Sequence, residues 1–205
     1  MHDHPTDNAA LQFELLFDNP FLHSSTMLRK TSLDAVGGYS TDRSRQPPED
    51  YELWSRLARR YKVANLPERL TIYREMPRSL SRVGSNPFQE KLVLISSENL
   101  AHAAGDGVPD QRHRDVAALI HNAYQMISGK HDIDGMCRVI AQAGARIHAG
   151  VPGSDVSERV AVRIGSLLLK YRLRRAGLHR LRPVVRLLRR HFSRAEAAEL
   201  GDRTR

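Results

Sequence analysis

The stretch NPFLHSSTMLRKTSLDAVGGYS at residues 19–40, with PPEDYELWSRLARRYKVANLPERLTIYR at 47–74, decides how the fold of this chain is read. FLHSSTMLR at 21–29 is rich in strand-forming residues and predicts a strand. Thr31 then stands as a candidate cap for a short helix through Val36, which Gly37-Gly38 terminates because glycine accepts a left-handed backbone. Arg43 to Pro48 is polar and proline-bearing. Beyond it, Leu53, Trp54, Leu57 and Tyr61 share one helical stripe, so a helix is predicted to start near Glu49. KVANL at 62–66 and RLTIYR at 69–74 read as two short strands separated by Pro67, and the Ser/Arg/Pro-rich residues 77–87 end the pattern.

Upstream, LQFELLF at 11–17 fits helix or strand by periodicity, with helix preferred, and Asn19-Pro20 closes it. Downstream the spacing is helical over 88–100, 111–127 and 135–147, punctuated by Gly and Pro at 105–109 and 150–153. In the tail, Val160, Ile164, Leu167, Leu168 and Tyr171 share one face and Leu181, Val185, Leu188 and Phe192 another, with arginines opposite. The predicted class is α/β, mostly helical. It comprises a mixed α/β portion at 1–87, a helical module at 88–150 and basic amphipathic helices at 151–205.

A net charge of +9 raises the question of nucleic acid, and the location of the charge answers it. Residues 159–194 hold 12 of the 32 Lys and Arg and no Asp or Glu, leaving 20 basic against 23 acidic residues elsewhere, a net of −3. The body is mildly acidic and only the tail is basic, without the interleaved aromatics that stack single-stranded bases, so no nucleic-acid partner is expected. One cysteine, Cys137, excludes an internal disulfide and thiolate-cluster zinc sites. No apolar run approaches a membrane span and the opening MHDHPTDNAA is polar, which predicts a cytoplasmic protein or one peripheral to the inner face of the plasma membrane.

The chemistry-bearing residues fall in one order: Asn19-Pro20, His23-Ser24, the Gly37-Gly38-Tyr39 loop, Glu49-Asp50 heading Leu53-Trp54 and Arg56, then Tyr73-Arg74. In that order and spacing they resemble the second half of the GT-A catalytic domain of family 2 glycosyltransferases. The resemblance spans residues 19–81, under a third of the chain. It implies inverting transfer of a sugar from a nucleotide donor to a hydroxyl acceptor. Such a reaction needs a carboxylate to take the acceptor proton and a cation to stabilise the leaving diphosphate. Asp50 is the implied base, at a helix start whose partial positive charge favours a carboxylate. Glu49 orients it or contacts the acceptor. Gly37, Gly38, Tyr39 and Arg56 are implied acceptor or donor contacts, and Arg74 is implied to lie near the diphosphate.

Each assignment has a plainer reading. Glu49 and Asp50 taken alone are ordinary acids of a first helical turn, and the neighbouring motifs are what favour the base. Gly37 and Gly38 also suit a helix C-cap, Arg56 also suits a solvated face, Trp54 reads as core and His23 as structural. Two departures stand out. Met76 occupies a position where the family commonly has histidine, and the family's Asp-x-Asp has no counterpart ahead of Asn19. Asp132-Ile133-Asp134 follows the base instead and reads as coincidence. The resemblance therefore implies a truncated GT-A portion. A divalent cation, Mg or Mn, serves the complete enzyme through ligands outside this sequence, and no residue here is assigned to metal. The rival reading is a non-catalytic protein acting through its basic tail on an anionic membrane surface or a partner.

Overall fold

Asp7 opens the first helix by accepting a hydrogen bond from the Ala10 amide at 2.9 Å. The computed structural model describes residues 4–68, 70–72, 88–129 and 131–177. Among these, seven α-helices follow in order: α1 Asn8–Glu14, α2 Lys30–Ala35, α3 Glu49–Ala58, α4 Gln89–Ala104, α5 Gln111–Ile120, α6 Ile133–Gly150 and α7 Val156–Arg175. Short 3₁₀ turns stand at His23–Ser25 and Tyr124–Met126. The chain divides into two compact units, Met1–Leu167 and Leu168–Arg205. The second contains the last residues of α7, and its residues 178–205 lie outside those described.

The α/β class does not hold. Among the described residues there is no strand, and the fold class is all-helical. Residues 21–29 form a 3₁₀ turn with extended flanks, and 62–66 is irregular. Of the run at 69–74, Leu70–Ile72 form no strand, and Arg69, Tyr73 and Arg74 lie outside the described residues. The physical reason is pairing. A strand is stable through ladder hydrogen bonds to a neighbour, and none runs beside these segments among the described residues. Of their apolar side chains, Phe21 and Val63 pack against the cluster formed by Leu15, Tyr51, Leu53, Trp54, Leu57, Ala58 and Ile95, whereas Leu22, Met27, Leu28, Leu66, Leu70 and Ile72 are exposed.

The helical expectations hold more closely. LQFELLF becomes the buried end of α1 and the turn after it, with Leu11, Phe13, Leu15, Leu16 and Phe17 inside. On α3, Leu53, Trp54 and Leu57 are buried as the stripe predicts, whereas Tyr61 lies past the helix end and is exposed. Tyr51, outside the predicted stripe, is buried, and its hydroxyl donates to the Leu15 carbonyl at 2.8 Å.

Helix α4 packs against α5, α6 and α3, and α6 also meets α1. Its interior is not purely apolar. Ser96 Oγ donates to the Leu16 carbonyl at 2.5 Å, and Asn99 Nδ2 donates to the Leu15 carbonyl at 2.9 Å and to Ser55 Oγ at 2.8 Å. These bonds satisfy carbonyls that the end of α1 leaves without helical partners, and they fix α3 and α4 around that end.

Candidate functional site

The start of α3 gathers the residues that the motif order singled out. Pro48 precedes the helix with an extended backbone, and Glu49, Asp50 and Glu52 fill its first turn. Asp50 Oδ1 accepts from the Tyr51 amide at 2.7 Å, and Asp50 Oδ2 accepts from Asn19 Nδ2 at 3.0 Å. The Asn19 amide is itself oriented, because its Oδ1 accepts from the Phe21 backbone at 3.0 Å. The carboxylate is therefore held from two sides, by its own helix and by a side chain 31 residues away in sequence.

Glu49 and Tyr39 are joined through His23. The His23 Nε2 and the Tyr39 hydroxyl are 2.8 Å apart, and His23 Nδ1 lies 4.0 Å from Glu49 Oε1. The imidazole meets the Trp54 indole edge-on at 5.9 Å between centroids, and Phe21 meets the other part of this aromatic wall, 6.3 Å from Trp54. Trp54 is 3% exposed, in agreement with its reading as core. Its Nε1 has no hydrogen-bond partner among the described residues.

Arg56 resolves differently from a solvated charge. Its Nε and Nη2 bond both oxygens of Glu52 at 2.8 and 2.7 Å, while its Nη1 donates to the Val36 carbonyl and its Nη2 to the Gly38 carbonyl at 2.6 Å. The arginine thus ties the Gly-Gly loop to α3. Gly37 and Gly38 have φ of 80° and 68°, a left-handed pair at the end of α2 that side-chain-bearing residues resist.

Beside this loop lies a cleft of about 400 Å³ bordered by Gly37, Gly38, Arg56, Arg45, Glu52 and Glu98. Arg45 grips Glu98 through two bonds of 2.7 Å, and this pairing raises the Arg45 pKa. Neither Arg45 nor Glu98 carried a signal in sequence, because 53 residues separate them. Asn19 and His23 lay within the motif order, yet only their contacts reveal that one orients Asp50 and the other joins the loop to Glu49. Glu49 and Asp50 do not border the cleft. Arg74 falls outside the described residues.

Among the described residues no group of three or more His, Cys, Asp or Glu could hold a metal ion, so the site offers no ligand set for the cation that the resemblance implies. The Asp132-Ile133-Asp134 sequence is a helix start: Asp132 Oδ1 accepts from the Gly135 amide at 2.7 Å as the cap of α6. Cys137 is a free, partly buried thiol whose pKa burial pushes up. Comparison of the chain with known protein families, curated proteins and solved structures returns no match.

Proposed function

We propose that the start of α3 is the acceptor side of a glycosyltransferase site, in which Asp50 takes the proton from the acceptor hydroxyl as that oxygen attacks the sugar. The observation that carries the reading is the two-sided hold on Asp50 by Asn19 and the Tyr51 amide, which leaves the carboxylate oriented in a partly exposed position. Glu49, His23 and Tyr39 form a linked polar group that includes the helix start next to Asp50, and the buried Trp54 backs the His23 ring from the core side. The Arg56 clamp keeps the Gly37-Gly38 loop close to α3. In this reading the nucleotide diphosphate and its Mg or Mn ion are bound by residues other than those of this site, and the ion supplies charge stabilisation to the leaving group.

Asp50→Asn keeps the shape and can still bond Asn19, but it cannot accept a proton as a base. Labelled-sugar transfer by the complete enzyme is expected to fall about 10²- to 10⁴-fold, with the melting temperature little changed. Transfer near the parent rate overturns the assignment.

A second reading rests on the segregation of charge. Residues 159–194 carry 12 basic side chains and no acidic one, which suits an anionic membrane surface at the inner face of the plasma membrane. Within this stretch Arg159 pairs with Asp155 and Glu14, and Arg163 bonds Glu14 at 2.7 Å with its guanidinium 4.3 Å above the Phe17 ring. No helix among the described residues is long and apolar enough to cross a membrane.

A further inference from the structure

A second cleft, of about 370 Å³, opens where the end of α1, the C-terminal end of α3 and the last turns of α4 and α6 come together. Its basic residues are Arg59, Lys62, His102 and Arg146, and among the described residues no Asp or Glu borders it. In a body whose charge outside the tail is negative, a cleft whose charged border residues, among those described, are all cations is a departure from the average surface. None of Arg59, Lys62 and Arg146 forms a salt bridge with a described residue, whereas Arg45, Arg56, Arg112, Arg159 and Arg163 all do. The remaining border combines amide groups of Asn8, Gln12 and Asn99 with apolar Leu15, Leu16 and Ile147.

Two of the cations are positioned by neutral groups. Arg59 is exposed as a residue, but its Nη2 reaches inward to the buried Asn99 Oδ1 at 2.7 Å. Arg146 lies across Gly105, whose absent side chain leaves room for it, since a Cβ there would stand 3.0 Å from the guanidinium carbon. Gly105 ends α4, so the guanidinium sits at the negative end of that helix's dipole. The positive charges crowd one another. Loss of water lowers the His102 pKa and Arg59 and Arg146 lower it further, while loss of water also lowers that of Arg59 despite Glu98 and Glu52 nearby.

We propose that this cleft binds a small organic phosphate, with Arg59, Lys62 and Arg146 around the phosphate and the Leu15–Leu16–Ile147 wall against its organic body. Guanidinium forks match phosphate oxygens in pairs, and neutralising three unpaired cations is the gain that such a ligand offers. The phosphate could belong to a soluble phosphomonoester or to the head of a lipid, and the two leave different signatures in binding.

The test is calorimetric titration of the full chain with phenyl phosphate, with the His102 resonance followed by NMR. Saturable binding is expected, with a rise in the His102 pKa as the anion offsets its cationic neighbours. Arg146→Gln and Lys62→Gln, both changes at exposed side chains, are each expected to weaken binding about tenfold while the circular dichroism spectrum stays that of the parent. Tighter binding of dihexanoyl phosphatidate than of phenyl phosphate assigns a lipid source, and the reverse order a soluble one. Either order supports an organic phosphate. The proposal is overturned by absence of saturation with both compounds, by inorganic phosphate binding as tightly as either, or by full affinity in both variants. None of these outcomes depends on Asp50.

Discussion

Asn99 illustrates how much one buried side chain does here. It is 4% exposed, donates to Leu15 and Ser55, and accepts from Arg59, so one amide links α1, α3 and α4. Asn99→Leu keeps the volume but removes the acceptor from Arg59. The Leu15 carbonyl keeps its bond from Tyr51. A loss of about 1–3 kcal/mol, read from the urea midpoint at unchanged slope, is expected. Asp110 makes a residue-scale prediction about pH. Burial raises its pKa, but bonds from Arg112 and from the backbone and ring of His113 outweigh that and bring it from 3.8 to about 2. A carboxyl with a depressed folded-state pKa stabilises the fold fully above its unfolded value and ceases to do so as pH falls through the folded one. Between pH 3.8 and about 2, the parent is therefore expected to lose stability more steeply than Asp110→Asn, as measured by melting temperature against pH.

At the scale of elements, punctuation was readable in the sequence and pairing was not. Gly105 closes α4 with φ of 89°, and the Gly105 and Asp106 amides both donate to the Ala101 carbonyl. Gly105→Ala forces a side chain into the left-handed region and against Arg146, with an expected cost of about 1–2 kcal/mol in thermal or chemical unfolding. The helix starts at Glu49 and in the 88–150 region were legible because acids, caps and an apolar period act locally. The strands at 21–29 and 62–66 were misread for the opposite reason. Phe21, Met27, Leu28 and Val63 have strand-forming side chains or apolar bulk, but a ladder depends on a second segment that local sequence does not display. The same limit applies to the site. Asp50 and the glycine loop stood out by spacing, while the Asn19–Asp50 and Arg45–Glu98 bonds join residues far apart along the chain. The cations of the second cleft are more scattered still, spread from Arg59 to Arg146 over the segment that follows α3 and two further helices, α4 and α6.

For the whole molecule the governing feature is the separation of charge. With a net of −3 outside residues 159–194 and 12 basic residues within them, affinity for an anionic surface is expected to be confined to one end of the sequence. Vesicles of phosphatidylglycerol are expected to co-sediment with the full chain at low salt and release it as ionic strength rises. Equal binding to neutral phosphatidylcholine vesicles would remove the electrostatic account. Charge reversal at Arg159 and Arg163 is a poor probe of that surface, because it also breaks the pairing with Glu14.

Arg56 holds the glycine loop through the carbonyls of Val36 and Gly38, and among the described residues the side chain it bonds is that of its own helix neighbour Glu52. A grip on main-chain oxygen is blind to what the loop residues carry. Changing the side chains at 39–40 therefore leaves the Arg56 grip in place, although replacing Tyr39 removes its bond with His23. Arg56 and Glu52 are the pair that the grip requires, so side chains at this edge can be exchanged on a frame set by main-chain bonds.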